Sequence, residues 1–239
     1  MMFDPVYFVV IAPALILAFW AQAKVKSAYA RAGRIPVSSG LSGERAARRI
    51  LDASGLHDVE IEPARGFLSD HYDPRHRVLR LSPEVYQGRS LASVGIAAHE
   101  AGHAIQQAVS YAPLALRNGL VPLASVGSHL SFILFFIGLV VSYGSQAPGG
   151  IGHILMISGL LLFGTVVVFQ VVNLPVEFNA SRRALAALHQ TGVIRVEEQG
   201  MVRKVLSAAA LTYVAATLMA VLQLLYLVLR SGLLGGRRG

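Results

Sequence analysis

The stretch Ala97-Ala98-His99-Glu100-Ala101-Gly102-His103-Ala104 decides how this chain is read. It is a His-Glu-x-x-His motif inside an apolar, helix-favouring segment. Leu91, Val94, Ile96, Ala98 and Ile105 supply the hydrophobic positions and Ser90 supplies an N-cap. On a helix, residues four apart lie one above the other on the same face. His99 and His103 can therefore each point a ring nitrogen at one ion, at the roughly 2.0–2.1 Å that zinc–imidazole bonds require. Glu100 lies one step round the helix, suited to act as a general base toward attacking water. Gly102 costs about 1 kcal/mol against alanine in a helix interior, so its presence predicts the close approach of another backbone. Together these features read as a zinc peptidase motif.

The rest of the chain reads as membrane protein. It has 239 residues, of which only 14% are charged, and a mean hydropathy of +0.55, too apolar for an ordinary soluble domain. Apolar runs long enough to cross hydrocarbon lie at Val6–Ala23, Leu120–Tyr143, Ile151–Val172 and Ala208–Leu229. Asp4 stands where a cleaved signal would carry its basic region, so the first run is read as an uncleaved span. There is no cysteine, which removes disulfides and thiolate ligands. The net charge of +8 is read as membrane orientation, and no nucleic-acid-binding pattern accompanies it.

The expected fold class is a mainly α membrane protein. It has about four transmembrane helices plus a small α+β zincin-like domain with a β-hairpin and the HExxH helix. The divisions are 1–23, a first transmembrane helix; 24–116, the catalytic domain; 117–174, two transmembrane helices with a short loop; 175–206, a helical segment; and 207–239, a fourth transmembrane helix and basic tail. Within 24–116, Ser42 caps a helix over Gly43–Ala53 that stops at Gly55. Val59–Glu62 and Val78–Leu81 alternate like strands, and Asp70–Arg77 carries turn chemistry, which predicts a hairpin. Ser82-Pro83-Glu84 reads as a helix start.

Lys24, Lys26, Arg31 and Arg34 follow the first span, and Arg182, Arg183, Arg195, Arg203 and Lys204 lie between the third and fourth. The Gly144–Gly150 loop has no Lys or Arg. The positive-inside rule then puts the catalytic segments on the cytoplasmic side of a multi-pass inner-membrane protein. Arg230, Arg237 and Arg238 in the tail count against this orientation but are outnumbered.

A catalytic zinc site needs a third protein ligand and an open position. Gln106 and Val109 stand where a metzincin would have glycine and histidine. After Glu100 the carboxylates are Glu177, Glu197 and Glu198, and after His103 the histidines are His129, His153 and His189. His129 falls within a span and His153 on the opposite side of the membrane. Glu177 returns to the side of the HExxH helix after two spans. Asn173-Leu174-Pro175-Val176-Glu177 reads as a helix start that would hold it near the membrane surface. Glu177 is the predicted third ligand, with Glu197 and Glu198 read as solvated.

Leu68-Ser69-Asp70-His71-Tyr72-Asp73-Pro74, Leu79-Arg80-Leu81-Ser82, Gly88-Arg89-Ser90, the HExxH stretch through Gln106, and Pro175–Ala184 together resemble the bacterial neutral zinc metallopeptidases of the YugP-like membrane family. Glu177-Phe178-Asn179-Ala180-Ser181 is similar to the Glu-Phe-x-Ala-Asp stretch of prenyl-protein peptidases, where the Glu binds zinc. Ser181 replaces that Asp, so Ser181 or Asn179 is the candidate partner of a ligand histidine. The resemblance implies a zinc-dependent endopeptidase that hydrolyses peptide bonds with zinc-activated water. Its partners would be a peptide or membrane-protein substrate and the lipid bilayer, with no nucleic acid.

Five other residues carry secondary readings. The Arg80 strand could offer an edge to an extended substrate, and His71 could face an oxyanion, though a turn role suits it better. Arg182 and Arg183 could meet substrate or lipid phosphate, and His129 could be a neutral histidine bonded to a nearby serine. The HEAGHA string also resembles ATP-dependent membrane proteases, but no lysine here sits in a P-loop context. An intramembrane protease would carry the motif within a span, whereas here it precedes Arg117 and the second span. A non-catalytic membrane scaffold retaining a zinc site is the alternative, disfavoured by Glu100, which a purely structural site does not need.

Overall fold

The computed structural model describes residues 4–66, 69–145 and 150–232. Leu68, residues 146–149 of the predicted outward loop, and Arg237 and Arg238 of the tail lie outside the described residues. In chain order the elements are α1 (Pro5–Ala32), α2 (Gly43–Ala53), β1 (Glu60–Pro63), β2 (His71–Asp73), β3 (Val78–Leu81), α3 (Pro83–Tyr86), α4 (Leu91–Ala108), α5 (Ala112–Ser145), α6 (Ile151–Gln190) and α7 (Val196–Ser231). The protein is mainly helical, and α1, α5, α6 and α7 are each long and apolar enough to cross a membrane.

The chain divides into two compact units. The helical unit comprises Met1–Phe19, Leu116–Leu174 and Tyr213–Gly239, and its core gathers around Phe135, Leu139, Met156, Leu160, Phe163 and Leu227. The sheet-bearing unit comprises Trp20–Ala115 and Pro175–Thr212. Its core packs Ala46, Ala47, Ile50 and Leu51 of α2, Leu79 and Leu81 of β3, Ala97, Ala98 and Ala101 of α4, and Ala184 and Leu188 of α6.

Local chemistry explains the element ends. The Ser42 hydroxyl accepts the Arg45 N–H at the start of α2, and Gly55 past its end sits at φ +73°, a region that glycine enters without penalty. Ser90 caps α4 by accepting the Ser93 N–H.

The sheet departs from the predicted hairpin. Its order is β1-β3-β2, with β1 parallel to β3 and β2 antiparallel to it. The hairpin is β2–β3, and β2 arises inside the segment read as turn. Pro74–Arg77 closes it, with Arg77 at φ +55° and the Asp73 carboxylate accepting the N–H groups of Arg75 and His76. Arg80 thus lies on the central strand with both backbone edges paired, so that strand cannot offer an edge to a substrate. Its guanidinium bonds Asp73 at 2.9 Å and Glu62 at 3.3 Å.

The helices also outrun the predicted spans. Residues 24–32 continue α1, because Lys, Ala, Ser and Arg are compatible with a helix and nothing interrupts them before Gly33. α6 runs through Pro175 to Gln190, so no helix starts at Asn173. One proline removes one ladder bond; the apolar run before it, which in hydrocarbon can satisfy its backbone only as a helix, and the Ala- and Leu-rich stretch after it carry the helix past.

Candidate metal centre

α4 puts His99 and His103 on one face, their ring centroids 4.9 Å apart. Gly102, between them in sequence, is where α6 approaches. A Cβ there would lie 2.7 Å from the Ala180 carbonyl oxygen, the close backbone contact that its presence predicts. That approach brings Glu177 to the histidines. Its Oε2 is 3.2 Å from His99 Nε2 and 3.8 Å from His103 Nε2, and Glu177 is only 2% exposed. Ligand atoms of His99, His103 and Glu177 all lie within 4.8 Å of one another, the one such group able to hold a metal among the described residues.

A surrounding layer fixes how these side chains present themselves. Gln106, fully buried, donates its amide N–H groups to the Val176 carbonyl at 2.8 Å and to Asn179 Oδ1 at 3.0 Å. Its Oε1 therefore faces His103 Nδ1, 3.0 Å away. Since that oxygen can only accept, His103 carries its proton on Nδ1, and the Nε2 lone pair is left toward Glu177. Asn179 Oδ1 also accepts from Arg183 Nε at 2.7 Å. Ser181 Oγ lies 3.2 Å from His99 Nδ1, the partner that the sequence offers for a ligand histidine. Burial lowers the affinity of His99 for a proton, but Glu177 and Glu100 outweigh it and hold the group above its ordinary value.

Glu100 Oε2 accepts the Tyr72 backbone N–H at 3.1 Å. Tyr72 N–H therefore points away from β3, and the outer edge of β2 faces α4. The Tyr72 hydroxyl adds a 2.6 Å bond to Gln107 Oε1. Burial pushes the Glu100 carboxyl up to about 7, with nearby His99 opposing and Glu177 reinforcing the shift. Asp70, also raised by burial, accepts the Ser82 N–H and hydroxyl, which ties the entry to β2 to the start of α3.

The remaining candidates fall outside the cluster. Glu198 accepts from the Ser38 N–H and hydroxyl and from the Arg195 N–H. His71 is exposed and donates from Nδ1 to the Ser69 carbonyl at 2.8 Å. His129 is exposed, 2.9 Å from the Ser128 hydroxyl, and Arg182 is exposed. The sequence reading assigned no role to Gln106 or to the Tyr72 N–H. Gln106 stands three residues after His103, a spacing that could have flagged it.

Two imidazoles and one carboxylate are a donor set that zinc takes in catalytic sites, and the lone pair left on His103 Nε2 fits it. Residues 7–232 match the family described as "Putative neutral zinc metallopeptidase". The chain belongs to that family. It is also 48% identical over 216 residues to the "Putative membrane protease YugP" of Bacillus subtilis (strain 168), which covers 90% of this chain and 92% of the relative. No solved structure matches. In this neutral zinc metallopeptidase family member, both quoted halves of the site, His99–Gln106 and Glu177–Arg183, fall inside the matched residues.

Proposed function

We propose that the chain is a multi-pass inner-membrane zinc endopeptidase whose centre faces the cytoplasm. His99, His103 and Glu177 hold the ion and Glu100 acts as general base. The observation that carries this reading is the convergence of three ligand atoms within 4.8 Å beside a carboxylate that an amide N–H holds in place. Bound zinc supplies Lewis acidity toward the scissile carbonyl and toward water. Glu100 takes the proton of the attacking water and returns it to the leaving amine. Tyr72 N–H directs that carboxylate, and Gln106 keeps His103 in the tautomer that binds metal. The substrate class is an extended peptide or an unfolded segment of a membrane protein, brought to the cluster beside Glu100. An HExxH helix beside a small sheet supports a zincin-like domain.

The test is Glu100→Gln in the full-length protein purified in detergent, with denatured casein as substrate. Both proteins should carry about one zinc per chain, and hydrolysis should fall by roughly 10²- to 10⁴-fold in the variant. Zinc-loaded wild type that cleaves nothing would instead favour a scaffold with a retained zinc site. The orientation is tested separately. A cysteine placed at Ser145 in this cysteine-free chain should react with an impermeant thiol reagent added outside the cell, and one at Ser39 should not.

A further inference from the structure

The sheet-bearing unit holds a groove of about 670 Å³ that the metal chemistry does not use, lined by α1 and α7. The two helices run antiparallel. Tyr7, near the start of α1, donates to Gln223 near the end of α7, and Ser38, just past α1, bonds Glu198 in the first turn of α7. Trp20, Lys24, Ser27 and Arg31 line the groove from α1, at steps of three and four residues that make one helical stripe. Lys204, Ser207 and Leu211 do the same from α7. Ala28 and Ala208 also line it and are almost wholly buried, so their small side chains leave its volume open.

Antiparallel packing grades the groove along its length. Trp20 and Leu211 stand at the end toward the apolar run of α1, and Lys24, Lys204 and Arg31 lie progressively away from it. Among the described residues no carboxylate lines the groove. The Lys24 ammonium is 4.4 Å from the Trp20 ring centroid, a cation resting on an aromatic face.

We propose that this groove binds an anionic glycerophospholipid, with its phosphate among Lys24, Arg31 and Lys204 and its acyl portion along Trp20 and Leu211. A phosphodiester supplies the negative charge that the lining lacks and oxygens that Ser27 and Ser207 can donate to. Free phosphate would satisfy the cations and leave the apolar end unused. A hydrophobic peptide segment would fill the apolar end and leave three cations without a counter-charge.

Trp20 is the chain's one tryptophan, so its fluorescence reads this groove directly. The full-length protein is reconstituted in phosphatidylcholine vesicles containing an equal fraction of either dibrominated phosphatidylglycerol or dibrominated phosphatidylcholine. The anionic lipid should quench Trp20 as though bound several-fold more tightly. Each of Lys24→Gln, Arg31→Gln and Lys204→Gln should weaken that preference by up to about fivefold, and the triple variant should lose it. Retention of one zinc per chain shows that the variants are folded. Equal quenching by the two lipids in the wild type overturns the proposal, as does a preference that survives in the triple variant. Relief of quenching by millimolar inorganic phosphate would assign the cations to a soluble anion instead.

Discussion

The core of the sheet-bearing unit, built of Leu, Ile, Val and Ala, encloses two polar side chains, Gln106 and Glu177, which are almost fully buried and bonded across from α4 to α6. The helical unit is built the other way. Large side chains pack around Phe135, and side chains just as apolar, such as Val9, Val140 and Leu161, stand at least 70% exposed. Where hydrocarbon is the solvent, burying a leucine discriminates little between arrangements, so close backbone contact must do so. A Cβ on Gly159 would lie 2.6 Å from the Ser131 carbonyl oxygen. In the sheet-bearing unit, by contrast, buried polar groups need specific partners, and those partners set the geometry of the site.

The most severe way to break the comparison is to remove a ligand. Glu177→Ala, His99→Ala and His103→Ala should each lower zinc from about one per chain to near zero and abolish hydrolysis, since two ligands do not make a tight catalytic site. Glu197→Ala should change neither. Elemental analysis of the purified proteins decides this, and full zinc in Glu177→Ala would remove Glu177 from the site.

A matched pair of glycine substitutions sharpens the contrast. Gly102→Ala and Gly159→Ala each insert a methyl against a backbone carbonyl, an overpacking worth about 1–3 kcal/mol of stability. Both should lower the thermal midpoint in detergent, but only Gly102→Ala should weaken zinc in competition with a chelator. Equal loss of zinc in Gly159→Ala would mean that the two units do not separate in this way.

Gln106→Leu should have a smaller effect. It removes the acceptor for His103 Nδ1–H while keeping an apolar shape, and zinc affinity should fall by about 10- to 100-fold. An unchanged affinity would show that the amide only joins helices.

Asp73 gives the mildest test. His76 and Arg80 hold its carboxyl well below the usual range. A depressed carboxyl stabilises the fold above its unfolded pKa of about 4 and loses that contribution as pH falls below it. Asp73→Asn should therefore speed hydrogen exchange across residues 70–81 at neutral pH, and the two proteins should converge in strong acid. A constant difference at all pH values would assign the effect to packing.

Legibility in the sequence followed the range of each interaction. The i,i+4 histidines, the Ser42 and Ser90 caps and the meaning of Gly102 are local, and local spacing carries them. Glu177 stands out by exclusion, because few carboxylates follow Glu100. The parallel β1–β3 pairing could not be read, since strand partners are chosen across the fold and β2 is three residues long. Pro175 reads as a helix boundary in isolation, and only the membrane-length apolar run before it and the Ala-rich stretch after it carry α6 through it. Gln106 is marked only by its spacing from His103, since the bond that orients its amide comes from Val176, seventy residues on, and a backbone donor such as Tyr72 N–H leaves no mark in a sequence at all.

His99 and Glu177 lie 78 residues apart, and between them come one membrane-crossing candidate and most of a second. A ribosome therefore delivers both histidines and the base long before the carboxylate. A nascent chain stalled or released within that interval carries Glu100 but lacks the third ligand, too few for a catalytic zinc centre. Under the function proposed here, an incomplete chain is thus an inert one, and proteolytic competence arises only once translation has passed through the third apolar helix.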